Sequence, residues 1–157
     1  MVAARLRAAF VRVDAIEAAM WRAGVQGDQP TGLAAYVVGN TVAAAALAAG
    51  TPVVVDAVNG VGVARDGWAA TAGEAGAVLR FVEVVCADPV EHRRRVTERF
   101  TNGPDSPGLP VPTWEEVVAV DWEPWDEPRL VLDSTVTPDV LVEAVFADLA
   151  DRSNPPA

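Results

Sequence analysis

The sequence contains no lysine: all 12 of its basic residues are arginine. Chemistry that needs a lysine amine is closed to these residues, including Schiff-base catalysis and the grip of a lysine on a nucleotide's phosphates. Cysteine is nearly absent too. Cys86 stands alone, which excludes an intramolecular disulfide and a thiolate metal cage. At the end of the apolar run "FVEVV" it reads as a buried strand-end residue rather than a reactive thiol. His92 is the single histidine, so neither a multi-histidine metal site nor a conventional Ser-His-Asp triad on another histidine is available. A secretory signal is not evident, since Arg5, Arg7, Arg12 and Arg22 lie among acids in the first 24 residues. The longest membrane-like run, 33 to 49, falls short of the roughly 20 residues a span needs and carries Gly39-Asn40-Thr41 at its middle. It reads as a buried helix, and a cytoplasmic protein without a membrane partner is expected. The net charge of -10 argues against a nucleic-acid partner.

What is present suits one globular domain. The chain has 157 residues, 51% apolar and 22% charged. "AFVRV" (9 to 13), "PVVVDAV" (52 to 58), "AVLRFVEVVCA" (77 to 87) and "PRLVLDS" (128 to 134) read as strands. Helices are expected at 2 to 8, at 14 to 24, from a Thr31 cap to before Gly50, at 65 to 75, and from Pro89 through "RRRVTERF". A short helix follows Thr113, with Glu116 completing a capping box, and 138 to 152 closes the chain. Residues 101 to 112, rich in proline and glycine, form a loop or flap. Strands alternating with helices predict an α/β domain with a mostly parallel sheet and helices on both faces. The second strand is apolar throughout, the pattern of a strand buried on both sides. Residues 1–152 form one domain, with a lid-like segment at 88–112 and a disordered tail at 153–157.

Each strand ends on, or is soon followed by, an acid: Asp14, Asp56, Asp88 and Asp133. Strand C-termini line the ligand crevice of such sheets, whereas Asp also caps helices and turns. Capping is the favoured reading for Asp88 and Asp133, and both readings stand for Asp14 and Asp56. "VVVD" has the form of a strand whose final carboxylate supports Mg²⁺. Asn59 serves either that crevice or the turn. In "HRRRVTER", Arg95 and Arg99 are four apart on one helix face. An anion such as phosphate would relieve their repulsion, and so would pairing with Glu91 and Glu98 on a solvated helix. Arg65 either reaches a substrate anion or lies on the surface. The six carboxylates from Glu115 to Glu127 read as a solvated face, with Trp114, Trp122 and Trp125 covering the core edge.

In order and spacing, "FVRVDAIEAAM", "VVVDAVNGVGVARDGWAATA", "VEVVCADPVEHRRRVTER" and "PTWEEVVAVDWEPWDEPRLVLDS" resemble P-loop small-molecule kinases of the zeta-toxin and AAA-like group. The resemblance implies a P-loop NTPase-like three-layer sandwich and ATP-dependent phosphoryl transfer, with Mg²⁺, to a small-molecule hydroxyl. Asp14 would orient or deprotonate the acceptor, and Asp56 would support the metal. Arg95 and Arg99 would neutralise the transferring phosphoryl group, Arg93 and Asp133 would lie on the nucleotide side, and Asn59 and Arg65 would hold the acceptor.

The sequence departs from that family in one respect. It has no GxxxxGK[ST] loop, and "VAARLRAA" resembles the last turns of the helix that follows such a loop. By family order, the central first strand is missing too, which predicts a gap between the Asp56 and Cys86 strands with exposed apolar edges. Three readings follow. One is a kinase whose N-terminus is absent through truncation or a wrongly chosen start, impaired in nucleotide binding as it stands. Another is a kinase-like protein that binds a ligand or partner without catalysis. The last is an unrelated doubly wound α/β binding domain. An unfilled sheet would also favour pairing with a second copy.

Overall fold

The computed structural model describes residues 1–25, 28–103 and 108–151. The elements run α1 (Val2–Leu6), β1 (Ala9–Arg12), α2 (Val13–Arg22), α3 (Thr31–Ala48), β2 (Val53–Asp56) and α4 (Gly62–Glu74). They continue with β3 (Phe81–Val85), α5 (Pro89–Asn102), α6 (Trp114–Val118), β4 (Arg129–Asp133) and α7 (Pro138–Asp151). The α/β alternation is as expected. The expected tail, residues 104–107 of the expected flap, and residues 26 and 27 lie outside the described residues.

All strand pairing is parallel, but it forms two separate two-stranded sheets, β1-β2 and β3-β4. Register places Val11 opposite Val55 and Arg12 opposite Asp56 in the first sheet, and Val84 opposite Leu132 in the second. β2 and β3 do not pair, which is the gap the sequence predicts. Its consequence corrects one expectation: β2 is half-buried along Val53 to Val55 rather than enclosed on both faces.

The core lies between α3, α4 and the first sheet, around Val13, Ala35, Ala43 and Trp68. Gly39 lets α3 approach Trp68 closely, since a Cβ there would lie 3.1 Å from the indole. Of α3, only Thr31, Ala35, Gly39 and Ala43 are buried, one residue per turn. Leu33, Val37 and Val42 remain exposed, so this helix is buried along one stripe rather than all round. It is long and apolar enough to cross a membrane by length and composition, yet it packs on α2, α4 and both strands of the first sheet.

Caps follow the sequence closely, with one exception. Asp88 accepts N–H bonds from Val90 (2.9 Å) and Glu91 (3.2 Å) at the start of α5, and Thr113 with Glu116 forms the capping box of α6. Thr31 does not cap α3. It is the first helical residue, and its buried hydroxyl donates to Glu17 (2.7 Å) while accepting from the Trp21 indole (2.9 Å). Cys86 is half-buried just beyond β3, its thiol 3.5 Å from the Asp88 carbonyl.

Candidate functional site

The parallel pairing of β1 and β2 brings their C-terminal ends together, and this places the first two acids. Asp56 ends β2 directly opposite Arg12, whose Nε donates to its carboxylate at 3.1 Å. Two residues on, Asp14 lies in the first turn of α2. That helix has no side-chain cap, so the Asp14 carboxylate is not engaged in closing it. Although Asp14 is exposed by area, flanking protein pushes its carboxyl above the usual range, and the nearby Asp56 charge pushes it further. Arg12 and Arg99 act in the opposite direction. Asp14, Asp56, Arg12 and Arg99 therefore share one electrostatic neighbourhood at the end of the first sheet. Glu17 from α2 adds to it. Tyr36 from α3 borders it, its hydroxyl raised above the usual range by burial and accepting the Asn59 N–H at 2.9 Å.

The arginines of α5 divide. Arg99 is exposed, with its carbonyl closing α5 on the Gly103 N–H and its side-chain charge reaching Asp14. Arg95 is held at the other sheet: Nε donates to Glu91 (2.6 Å), and Nη1 to the Ser134 carbonyl and hydroxyl (2.9 and 3.1 Å). Arg94 pairs with Glu91 and Glu98, the solvated-helix arrangement foreseen for this run. Arg93 is exposed beside Trp114, which meets His92 edge-on at 5.2 Å.

Three of the expected site residues make structural hydrogen bonds. Asp133 accepts from the Ala87 and Thr135 N–H groups (3.2 and 3.1 Å) and from the Thr135 hydroxyl (2.8 Å). These bonds keep its carboxyl below the usual range and tie it to the backbone at the end of β4. Arg65 is buried rather than on the surface. It donates to both Glu127 oxygens (3.0 and 3.1 Å) and to the carbonyls of Asn59 (3.2 Å) and Pro124 (2.7 Å), with Trp125 4.6 Å from its guanidinium. Asn59, at φ 53°, accepts from the Trp68 indole at 2.9 Å. Together they clamp the loop after Asp56 onto residues 123 to 127. The acidic stretch is thus not wholly solvated, since Glu127 meets Arg65 and Glu123 accepts the Gly62 N–H at 2.5 Å.

Sequence reasoning passed over Arg12, Glu17 and Tyr36. Arg12 alone had a usable signal, being two residues before Asp14 on a strand that pairs with the Asp56 strand. Tyr36 and Glu17 come from helices whose rotation about the sheet no short-range pattern reveals.

The residues present suit a hydrated divalent cation: two exposed carboxylates, Asp56 at the end of β2 and Asp14 in the first turn of α2. No cluster of three or more potential metal ligands occurs among the described residues. A triphosphate fits poorly. Its usual cradle is a glycine-rich run of backbone amides with a lysine, and residues 1–157 contain neither.

A family model described as an AAA domain matches residues 1–120. No curated protein matches this chain. Among solved structures, a candidate kinase from Chloroflexus aurantiacus is similar in fold, with a TM-score of 0.72 at 18% identity, covering 93% of this chain and 86% of that one. With that family model matching residues 1–120, and a fold similar to that of the solved structure, this chain belongs to the AAA-domain family.

Proposed function

We propose that residues 1–157 carry the acceptor and metal side of a site for ATP-dependent phosphoryl transfer to a small-molecule hydroxyl. The observation that carries this reading is the shared neighbourhood of Asp14, Asp56 and Arg99 at the paired ends of β1 and β2. A carboxylate with a raised pKa, exposed and not used in capping, is suited to take a proton from an acceptor hydroxyl. Asp56, steadied by Arg12, would hold the magnesium ion, which when bound neutralises charge on the phosphate oxygens. Arg99 would offset negative charge on the phosphoryl group from the opposite side. Arg95, bonded to Ser134 and Glu91, would act at one remove by fixing the helix that carries Arg99. Arg93 on the same helix is free for the nucleotide side, and Arg65 with Asn59 acts by holding the loop behind Asp56. The net charge of -10 favours a small acceptor over a nucleic acid, in a cytoplasmic setting.

Magnesium titration followed by carboxyl NMR tests this. Millimolar Mg²⁺ should shift the Asp14 and Asp56 carboxyl resonances and lower the Asp14 pKa, and Asp56→Asn should remove both responses. Unmoved resonances at both acids would defeat the reading. The poor fit to a triphosphate favours a second reading, a kinase-like protein that binds its small molecule without turnover. It would show acceptor binding that Asp14→Asn leaves intact.

A further inference from the structure

Tyr36 is the chain's only tyrosine, and phosphoryl transfer as proposed gives it no part. It stands one turn before Gly39 on α3, where that helix packs against Val11, Val13 and Trp68. Its ring lies 6.0 Å from that of Trp68, and its hydroxyl reaches the loop that follows Asp56, accepting the Asn59 N–H at 2.9 Å. That loop is itself held. Asn59 accepts from the Trp68 indole at 2.9 Å, and its carbonyl accepts from the buried Arg65 at 3.2 Å. The half-buried tyrosine therefore has its oxygen fixed at the loop behind Asp56.

A phenol oxygen that already accepts a backbone N–H has one task left, to donate its proton. No acceptor takes that proton among the described residues. Burial raises the pKa of the phenol and the Asp14 charge raises it further, so the proton stays in place at neutral pH. Asp14 is thus near enough for its charge to act on Tyr36, and no hydrogen bond joins the two. A small molecule with one oxygen on each would bridge the pair. Chemistry restricts which oxygens those are. Asp14 must face the attacking oxygen to take its proton, while a proton donated onto that same oxygen would oppose the attack. The Tyr36 hydrogen bond therefore suits a second oxygen.

We propose that Tyr36 is a specificity-determining residue: its hydroxyl donates to the oxygen beside the phosphorylated one, selecting acceptors with hydroxyls on neighbouring carbons. The inference rests on Asp14 as the group that faces the acceptor hydroxyl, and it adds the substrate class. A simple alcohol would satisfy Asp14 and leave the Tyr36 proton without a partner, which is the basis of the discrimination.

Fluorine NMR tests it, because ring-fluorinated tyrosine supplied during expression labels position 36 alone. The probes are myo-inositol, D-ribose and glycerol, which carry hydroxyls on neighbouring carbons, and cyclohexanol, which carries one hydroxyl. At least one polyol should move the fluorine and Asp14 carboxyl resonances together, with a dissociation constant of roughly millimolar order. Cyclohexanol should bind about tenfold more weakly than that polyol. Tyr36→Phe, followed at the Asp14 carboxyl, should weaken the polyol about tenfold and bring it level with cyclohexanol. A variant that keeps the preference overturns the inference. So does cyclohexanol moving the label as readily as the polyols, or no polyol moving it. If the variant weakens both ligands to the same degree, Tyr36 only holds the Asn59 loop and the inference fails. A Mg²⁺ response at Asp14 and Asp56 without polyol shifts defeats this inference alone. Polyol shifts without a Mg²⁺ response support it and defeat only the metal assignment. The labelled chain's own preference decides even if Tyr36→Phe misfolds.

Discussion

Asp14 and Asp133 both follow parallel strands, yet only Asp14 has a carboxylate free for chemistry. Asp133 meets three donors in a tight turn, whereas Asp14 meets the charge of Asp56. The sign of its linkage follows. An acid whose pKa is higher folded than unfolded makes the charged form costly to the fold at neutral pH, and that cost vanishes below the unfolded value near 3.8. Asp14→Asn should therefore raise the melting temperature at pH 7 by about 2 °C and make no difference below about pH 3.5, as thermal scans across pH would show. Arg65 should behave oppositely. Removing a buried guanidinium takes a donor from Glu127 and from two carbonyls, so Arg65→Ala should cost about 2–4 kcal/mol in denaturant unfolding. Arg65→Lys should recover little, because one ammonium cannot reproduce the planar fork.

α5 shows why a charged helix needs its partners counted before its arginines are assigned to a ligand. Glu91 accepts from Arg94 and Arg95, which hold its carboxyl at about 2, well below the ordinary 4.5. A depressed carboxylate contributes stability fully above its unfolded pKa and loses it as pH falls through the folded value. Protection of the α5 amides should thus decline between about pH 4.5 and 2, and Glu91→Gln should flatten that dependence. An α5 whose exchange ignores pH over this window would contradict the ion-pair account. Much of this element was legible: the Asp88 cap, the first-turn proline and the Glu91/Glu98 pairing all follow from spacings of one to four residues. The parting of Arg95 from Arg99 was not legible, because it depends on Ser134, 39 residues away.

For the whole molecule, the division into two sheets governs both fold and ligand. The end of the first sheet, with Asp56 and the nearby Asp14, is built, while residues 1–157 contain no GxxxxGK[ST] loop to cradle a triphosphate. Calorimetry of MgATP into this chain should accordingly give no micromolar binding, and such binding with magnesium would contradict the present assignment of the site.

Composition and local pattern alone determined the α/β class, the element order, most caps and the alignment of four acids with four strand ends. Those features depend on residues close in sequence, where side-chain period, proline and capping act directly. Tertiary structure decided which acids were left free, that Arg65 is a buried clamp, that Arg12 faces Asp56, and that α3 is buried along one stripe only. Each of these depends on which element packs against which, and strand register and helix rotation are set by contacts between segments far apart in the chain.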